Sequence, residues 1–314
     1  MKLESVCILG GSGFVGRHIV HLLARESVRV RIPTRHRESV KEELILLPTV
    51  DVLDANVHDD AELDRLVAGR DAVINLVGIL HAGKAATFER VHTELPRRVV
   101  EACQRNGVRR YVHMSALNAS PDGPSEYLRT KGEAEKLVKA SGLDWTIFRP
   151  SVIFGRGDSF LNMFASTLKL APFLPLACPD ARFQPVWVED VAAAFTRCLT
   201  DAHTFGQAYD LCGPKVYTLR ELVQYVGRVI GKERPVIGLN DRLSYLQARM
   251  MEFSPIKVMT RDNYYSMKID SVCHGDFPAV FGFEPTALEA VAPEYLGGQT
   301  PRSRYKEFRD RAGR

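Results

Sequence analysis

"CILGGSGFVGRHIV" (residues 7–20) joins a short apolar run to a helical pattern through Gly10, Gly13 and Gly16, spaced three apart. The same stretch holds G-x-G-x-x-G through Gly11, Gly13 and Gly16. Glycines at such places allow a tight turn and close approach of backbone to a ligand. The first turn of the helix that follows then offers N–H groups without intrahelical partners and a partial positive charge, which suits a pyrophosphate. Ser12, Phe14 and Val15 supply further amides of this loop and turn. Alone the motif is weak evidence. It gains weight when a strand precedes it, a helix follows it and an alternating series continues beyond it.

Such a series is present. "VRVRIPTR" alternates like a strand, and "DDAELDRLVAG" reads as a helix with acidic residues in its first turn, stopped by Gly69. "DAVINLVGIL" reads as a buried strand, and "TFERVHTELPRRVVEACQRNG" as a helix bent at Pro96 and closed by Gly107. "RRYVHMSAL" and "DWTIFRPSVIFG" are strands on either side of the helix "SEYLRTKGEAEKLVKASG", which opens near Ser125 and stops at Gly142. Strands alternating with helices predict an α/β fold, a doubly wound parallel sheet of Rossmann type. Beyond residue 155 the chain turns apolar and proline-interrupted, then mostly helical, with "SPIKV" as a breaker. The expected organisation is a dinucleotide-binding domain over 1–155, rejoined by 186–212. A smaller, mostly helical lobe, for substrate or partner, covers 156–185 and 213–314, ending in a basic tail.

The end of the second predicted strand selects the cofactor. An Asp or Glu there would hold the ribose 2′-hydroxyl of NAD. "IPTRHRES" instead carries Arg35 and Arg37, and a guanidinium pairs with a 2′-phosphate, so NADP(H) is expected. Asn56 and Val57 in "DANVHD" would lie at the adenine edge. Leu76, Val77 and Gly78 of "NLVG" line the next stretch, and Pro150 and Ile153 of "FRPSVIFG" complete the candidate set.

Tyr127 and Lys131 stand four apart on the predicted helix and share a face. Free tyrosine is a poor base at neutral pH. A nearby ammonium favours the phenolate, so the pair can pass a proton to or from a carbonyl or hydroxyl, and Lys131 can also hold ribose hydroxyls. Ser115, at the end of the preceding strand, is the candidate to hold the reacting oxygen. Gly132 would let this helix lie close to its neighbours.

The glycine loop, Ser115 and Y-x-x-x-K in this order resemble the short-chain dehydrogenase/reductase superfamily. "FRPSVIFGRGD" and "QPVWVEDVA" resemble its extended and atypical branches, which include nucleotide-sugar epimerases. Over nearly the whole chain, "VHMSALNAS", "YLRTKGEAEK", "RPSVIFGRGDSFLNMFAS" and "FSPIKVMTRDNYYSMKID" are similar to the NADPH-binding accessory subunit of respiratory complex I and its bacterial relatives. That resemblance implies tightly held NADPH, a place near the quinone-reducing arm in the mitochondrial members, and links to quinone biosynthesis in some relatives. One position departs: where extended reductases carry an Asn on the helix before the serine strand, "FERVHTEL" has His92.

Composition narrows the rest. The chain has 314 residues, 45% hydrophobic and 25% charged, with net charge +4, which is ordinary globular composition. The tail "TPRSRYKEFRDRAGR" holds six basic residues, a solvated terminus by default or a contact with acidic partners or lipid headgroups. Nucleic acid is not expected as a partner. Cys7, Cys103, Cys178, Cys198, Cys212 and Cys273 show no C-x-x-C pairing and are expected as free thiols in a reducing compartment. No H-E-x-x-H occurs, so no metal site is expected, and His18 and His21 are assigned to packing or surface. No apolar run reaches the length of a membrane span. A soluble, cytoplasmic protein is expected, with the periphery of the inner membrane as the alternative place.

Two functional readings follow. The first is an NADP(H)-dependent oxidoreductase acting on a carbonyl or hydroxyl substrate that the sequence does not identify, or a nucleotide-sugar epimerase-like enzyme. The second is a non-catalytic NADPH-binding accessory or sensing protein, contacting the respiratory chain or a membrane surface through "FLNMFASTLKLAPFLPLAC", whose bland alternative is buried core. Arg149 and Arg182 are read either as contacts to an anionic ligand or as structural ion pairs.

Overall fold

The structure, a computed structural model, describes residues 3–35, 37–38, 44, 46–83, 86–254 and 258–297. The basic tail and Pro255 to Lys257 of the "SPIKV" breaker lie outside the described residues.

The strands are β1 (Ser5–Leu9), β2 (Arg29–Thr34), β3 (Val50–Asp54), β4 (Ala72–Asn75), β5 (Arg110–Met114), β6 (Asp144–Pro150), β7 (Ile153–Phe154), β8 (Leu174–Leu176), β9 (Arg182–Phe183), β10 (Val186–Trp187), β11 (Gln207–Leu211), β12 (Tyr217–Thr218) and β13 (Val236–Gly238). Seven of them form one sheet in the order β11-β6-β5-β4-β1-β2-β3, every pair parallel. All residues of β1 and β4 are buried, as a parallel sheet covered on both faces requires. The order reverses between β1 and β4, and the crevice outside the carboxyl ends at such a switch point is where ligands bind in open α/β sheets.

The helices are α1 (Phe14–Arg25), α2 (Asp60–Val67), α3 (Leu95–Arg105), α4 (Glu126–Lys139), α5 (Phe160–Leu170), α6 (Val188–Cys198), α7 (Leu219–Val229), α8 (Asp241–Met251), α9 (Arg261–Ser266) and α10 (Leu288–Leu296). Asp59 caps α2 and Ser125 caps α4, each accepting from an N–H in the first turn. The predicted bend at Pro96 is a π-helical turn over Glu89–Glu94, where the Leu95 N–H reaches back to the Arg90 carbonyl. Pro96 has no N–H to continue the α pattern through this point.

The chain divides into two compact units. The first holds Met1–Pro150, Val188–Leu211 and Pro278–Phe283; the second holds Ser151–Trp187, Cys212–Phe277 and Glu284–Arg314. In the first, Leu63, Leu66, Leu95, Val99 and Cys103 of α2 and α3 pack with Cys7, Val73 and Tyr111 of the sheet. In the second, α5, α7 and α10 share a core of Leu161, Phe164, Leu168, Leu222, Val223, Val226, Leu288 and Ala292. The run "FLNMFASTLKLAPFLPLAC" is therefore mostly core, with Leu170 and Phe173 as its exposed large apolar residues.

The cysteine expectation needs correction. Cys212 and Cys273 form a disulfide with Cα atoms 6.1 Å apart, across 61 residues of sequence. Spacing could not show it, because Gln184 brings the two segments together. Its side chain donates to the Gly213 carbonyl at 2.7 Å and accepts from the Cys273 N–H at 3.0 Å. Cys7, Cys103 and Cys198 are free and buried, and burial pushes their thiols up to about 12.

Candidate functional site

The loop after β1 is built from close contacts that only glycine permits. Gly10 has φ +80°, and a Cβ on it would stand 3.2 Å from the Leu76 carbonyl carbon and the Val77 nitrogen. A Cβ on Gly16 would lie 2.4 Å from the Gly10 oxygen and 2.6 Å from the Gly11 Cα, so α1 rests directly on the turn. Gly13 is the N-cap of α1, in extended conformation and with no side chain capping the first turn. The amides of Phe14, Val15 and Gly16 thus begin a helix whose end is left for an anion. Ser12 contributes its carbonyl to the Arg17 guanidinium at 3.1 Å. A backbone cradle closed to any side chain fits a dinucleotide pyrophosphate.

Beside it runs the chain after β4. Leu76 N–H bonds the Leu9 carbonyl at 2.9 Å, and Val77 N–H bonds the Asn75 side chain at 3.1 Å. Gly78 is exposed, and a Cβ there would meet Lys131 Nζ at 3.4 Å and His92 Nε2 at 3.5 Å. Glycine loop, Leu76–Gly78 stretch and Lys131 are therefore neighbours.

Lys131 is buried, and its ammonium donates to the Met114 carbonyl at 2.9 Å. Burial lowers its pKa to about 8, against the opposing pull of the Glu135 charge. Gly132 allows α4 to pack so tightly that a Cβ would fall 2.4 Å from the Ser120 carbonyl carbon. Tyr127, half-buried, sets its ring edge-on to His92 at 5.3 Å and to Phe88 at 6.0 Å between centroids.

His92 bonds through both ring nitrogens. Its Nε2 accepts from the Ile79 N–H at 3.0 Å, so Nδ1 carries the proton and meets the Thr130 hydroxyl at 3.2 Å. Burial first, then the charges of Lys131 and His113, lower its pKa to about 2. A neutral imidazole with both nitrogens engaged ties the post-β4 loop to α4. The π turn is what aims it there.

Ser115 is at the end of β5, buried, but its hydroxyl donates to Glu135 Oε1 at 2.7 Å. Eight residues of helix separate Glu135 from Tyr127, about 12 Å along the axis. The fold therefore brings Lys131 to Gly78 and engages the Ser115 hydroxyl with Glu135, two turns further along α4 than Tyr127. Glu135 also pairs with Arg149 (Nε–Oε1 2.7 Å) and Lys139 (3.0 Å). Burial raises the Glu135 pKa, but its bonds to Arg149, Ser115 and Lys139 outweigh this and hold it below the ordinary value. Arg149 pairs in addition with Asp210 at 3.7 Å, and Arg182 with Asp270 at 3.6 Å, so both are structural ion pairs.

At the other end of the cleft Arg35 and Arg37 are exposed beyond β2. Asn56 and the partly buried Val57 follow β3, with the Asn56 side chain accepting from the His58 N–H at 3.1 Å. Burial and then the charges of Arg90, Arg98 and Arg35 lower the His58 pKa. Arg98, on α3, donates to the His58 carbonyl and pairs with Asp60 at 3.3 Å. Pro150 is buried at the end of β6, where its carbonyl accepts from the Leu117 N–H at 3.1 Å. Ile153 lies on β7 in the second unit, paired with Val186. His18 bonds Glu189 at 2.7 Å, and no cluster of three or more metal-ligating side chains occurs among the described residues. No helix among them is long and apolar enough to cross a membrane.

A family model described as NAD(P)H-binding matches residues 10–159. The chain is 31% identical to the mouse mitochondrial NADH dehydrogenase [ubiquinone] 1 alpha subcomplex subunit 9, over 92% of this chain and 78% of the relative. It is 32% identical to the NADH-ubiquinone oxidoreductase 40 kDa subunit of Neurospora crassa, over 74% of this chain, and spans 61% of that relative's length. It is 31% identical to the ceramide reductase of Caulobacter vibrioides, over 75% of this chain and 74% of the relative. In fold it resembles the Escherichia coli NADPH-dependent quinone oxidoreductase QOR2 complexed with NADPH, with TM-score 0.73 and 18% identity over 93% of this chain and 99% of that one. The chain belongs to the NAD(P)H-binding short-chain dehydrogenase/reductase family, in the atypical, extended branch that includes the mitochondrial subunit 9 proteins and related reductases.

Proposed function

We propose that this protein binds NADP(H) and acts as an oxidoreductase on a carbonyl or hydroxyl substrate, with Tyr127 moving the proton. The observation that carries the reading is the placement of Lys131, buried and next to Gly78 on the chain after β4, with Tyr127 one helical turn before it. Gly10, Ser12, Gly13, Phe14, Val15 and Gly16 would hold the pyrophosphate, and Leu76, Val77 and Gly78 the stretch toward the nicotinamide. Bound there, the nicotinamide supplies or accepts the hydride. Lys131 holds the ribose hydroxyls and favours the phenolate of Tyr127, which gives or takes the substrate proton. Arg35 and Arg37, exposed beyond β2 where NAD sites carry an acid, support a 2′-phosphate and hence NADP(H) over NAD(H).

The test is a carbonyl and quinone panel with NADPH, run on the wild type and Tyr127→Phe. The variant is expected to keep NADPH affinity and lose hydride transfer. Equal turnover by both removes the proposal. NADH bound as tightly as NADPH removes the cofactor assignment.

One observation favours a second reading, a non-catalytic NADPH-holding protein. The Ser115 hydroxyl is spent on a buried carboxylate, and the reacting oxygen loses its expected second donor. This reading expects bound NADPH to resist exchange with excess NADP⁺ for hours. Rapid exchange excludes it.

A further inference from the structure

Helix α8 turns the wrong side to solvent for an ordinary surface helix. Its buried residues are Ser244 and Ala248, and the Ser244 hydroxyl accepts from the Cys178 N–H at 3.1 Å. Gln247 donates to the Pro175 carbonyl at 3.0 Å, which fixes the helix against β8. At 100° per residue the opposite arc holds Leu243, Leu246 and Met250, and Phe253 follows at the helix end. Leu246 is 49% exposed, Met250 66% and Phe253 85%. Ile237 of β13, paired with Pro175, and Phe173 beside β8 are also about half exposed. Scattered apolar side chains mean little on a surface, but a contiguous patch with a polar rim marks an interaction site.

The rim identifies the occupant. Arg242 and Arg249 are exposed on the flank of the apolar arc. The carboxylates at the two helix ends are already taken up, Asp241 by Lys268 and Tyr264, Glu252 by Arg261. The face thus presents large apolar side chains edged by arginines, with its nearby negative charge neutralised internally. We propose that the exposed face of α8 is a docking surface for an anionic lipid bilayer. Leu243, Leu246, Met250 and Phe253 enter the acyl boundary, and Arg242 and Arg249 meet headgroup phosphates. This is independent of the proposed chemistry, and it places the membrane contact on α8 and not on the apolar run around α5, whose larger side chains mostly join the core.

The experiment is co-sedimentation of the full chain with phosphatidylcholine vesicles and with mixed phosphatidylcholine/phosphatidylglycerol vesicles. The wild type is expected to pellet with the mixed vesicles, and less so as salt rises. Leu246→Gln with Met250→Gln should lower partitioning at least about tenfold, with unchanged thermal melting because both side chains are exposed. Arg242→Gln with Arg249→Gln should weaken binding at low salt and have little effect at high salt. A wild type that stays in the supernatant with both vesicles overturns the proposal, as does equal pelleting of wild type and apolar variant. A dimer that Leu246→Gln with Met250→Gln converts to monomer also overturns it, by assigning the face to a second copy of the chain.

Discussion

The loop after β1 and the loop after β5 both leave the carboxyl edge of the same parallel sheet, and both were read in the sequence as parts of one site. They are built differently. The glycine loop is a shape made chiefly by backbone, in which Gly16 packs against Gly10 and Gly11. The Ser115 end is a matter of partners: a hydroxyl 2.7 Å from the carboxylate of buried Glu135 can serve either a ligand or that glutamate. A motif made of backbone carries its function wherever the fold forms. A motif made of a single polar side chain carries it only if the surrounding charges leave that side chain available.

The contrast can be broken most severely at Gly16. Gly16→Val is expected to cost about 3 kcal/mol of nucleotide binding, roughly a hundredfold in affinity, measured by NADPH fluorescence titration. Intact affinity would mean that the loop is not the cradle. At the other end, Glu135→Ala should destabilise the fold by about 2 kcal/mol, because Ser115 loses its acceptor and the partly buried Arg149 keeps only Asp210, read by denaturant unfolding. Ser115→Ala should cost about 2 kcal/mol and leave any hydride transfer unchanged. A large loss of turnover at unaltered stability would restore Ser115 to the reacting oxygen and erase the distinction.

Smaller effects sharpen the picture. Arg35→Ala is expected to reduce the preference for NADPH over NADH about tenfold, the scale of one charged contact to a phosphate, measured as the ratio of the two dissociation constants. The smallest effect on binding is in pH. Lys131 is held at about 8 against 10.5 in the unfolded chain, so between those values the unfolded chain binds the proton more tightly. The contribution of this group to stability therefore rises with pH from about 8 to 10.5. A cofactor held by the ammonium form should instead bind about twofold more weakly at pH 8 than at pH 6, because half the lysine is then neutral. A flat affinity profile would remove Lys131 from the binding machinery. His92, lowered to about 2, contributes nothing to either profile in this range.

Much of the fold was legible because it depends on local rules. Apolar runs ending in glycine, caps such as Ser125 and Asp59, and the stop at Gly142 are written within a few residues of the structures they cause. The segment "QAYDLCG" was assigned back to the sheet, and β11 pairs with β6 at its edge. The kink at Pro96 was visible, but its form as a π turn was not, since that depends on how the turn packs His92 against Thr130 and Ile79.

By itself the sequence determined the sheet, the glycine cradle and the shared face of Tyr127 and Lys131, because backbone shape and helical period are properties of short stretches. Tertiary structure alone decided which side chains answer one another across the chain. It gave Ser115 and Arg149 to Glu135, set Arg98 against Asp60, brought Cys212 and Cys273 together beside Gln184, and turned the apolar arc of α8 outward. Each of these is a choice among partners far apart in sequence. Burial and distance make it, and neither is a property of any one segment.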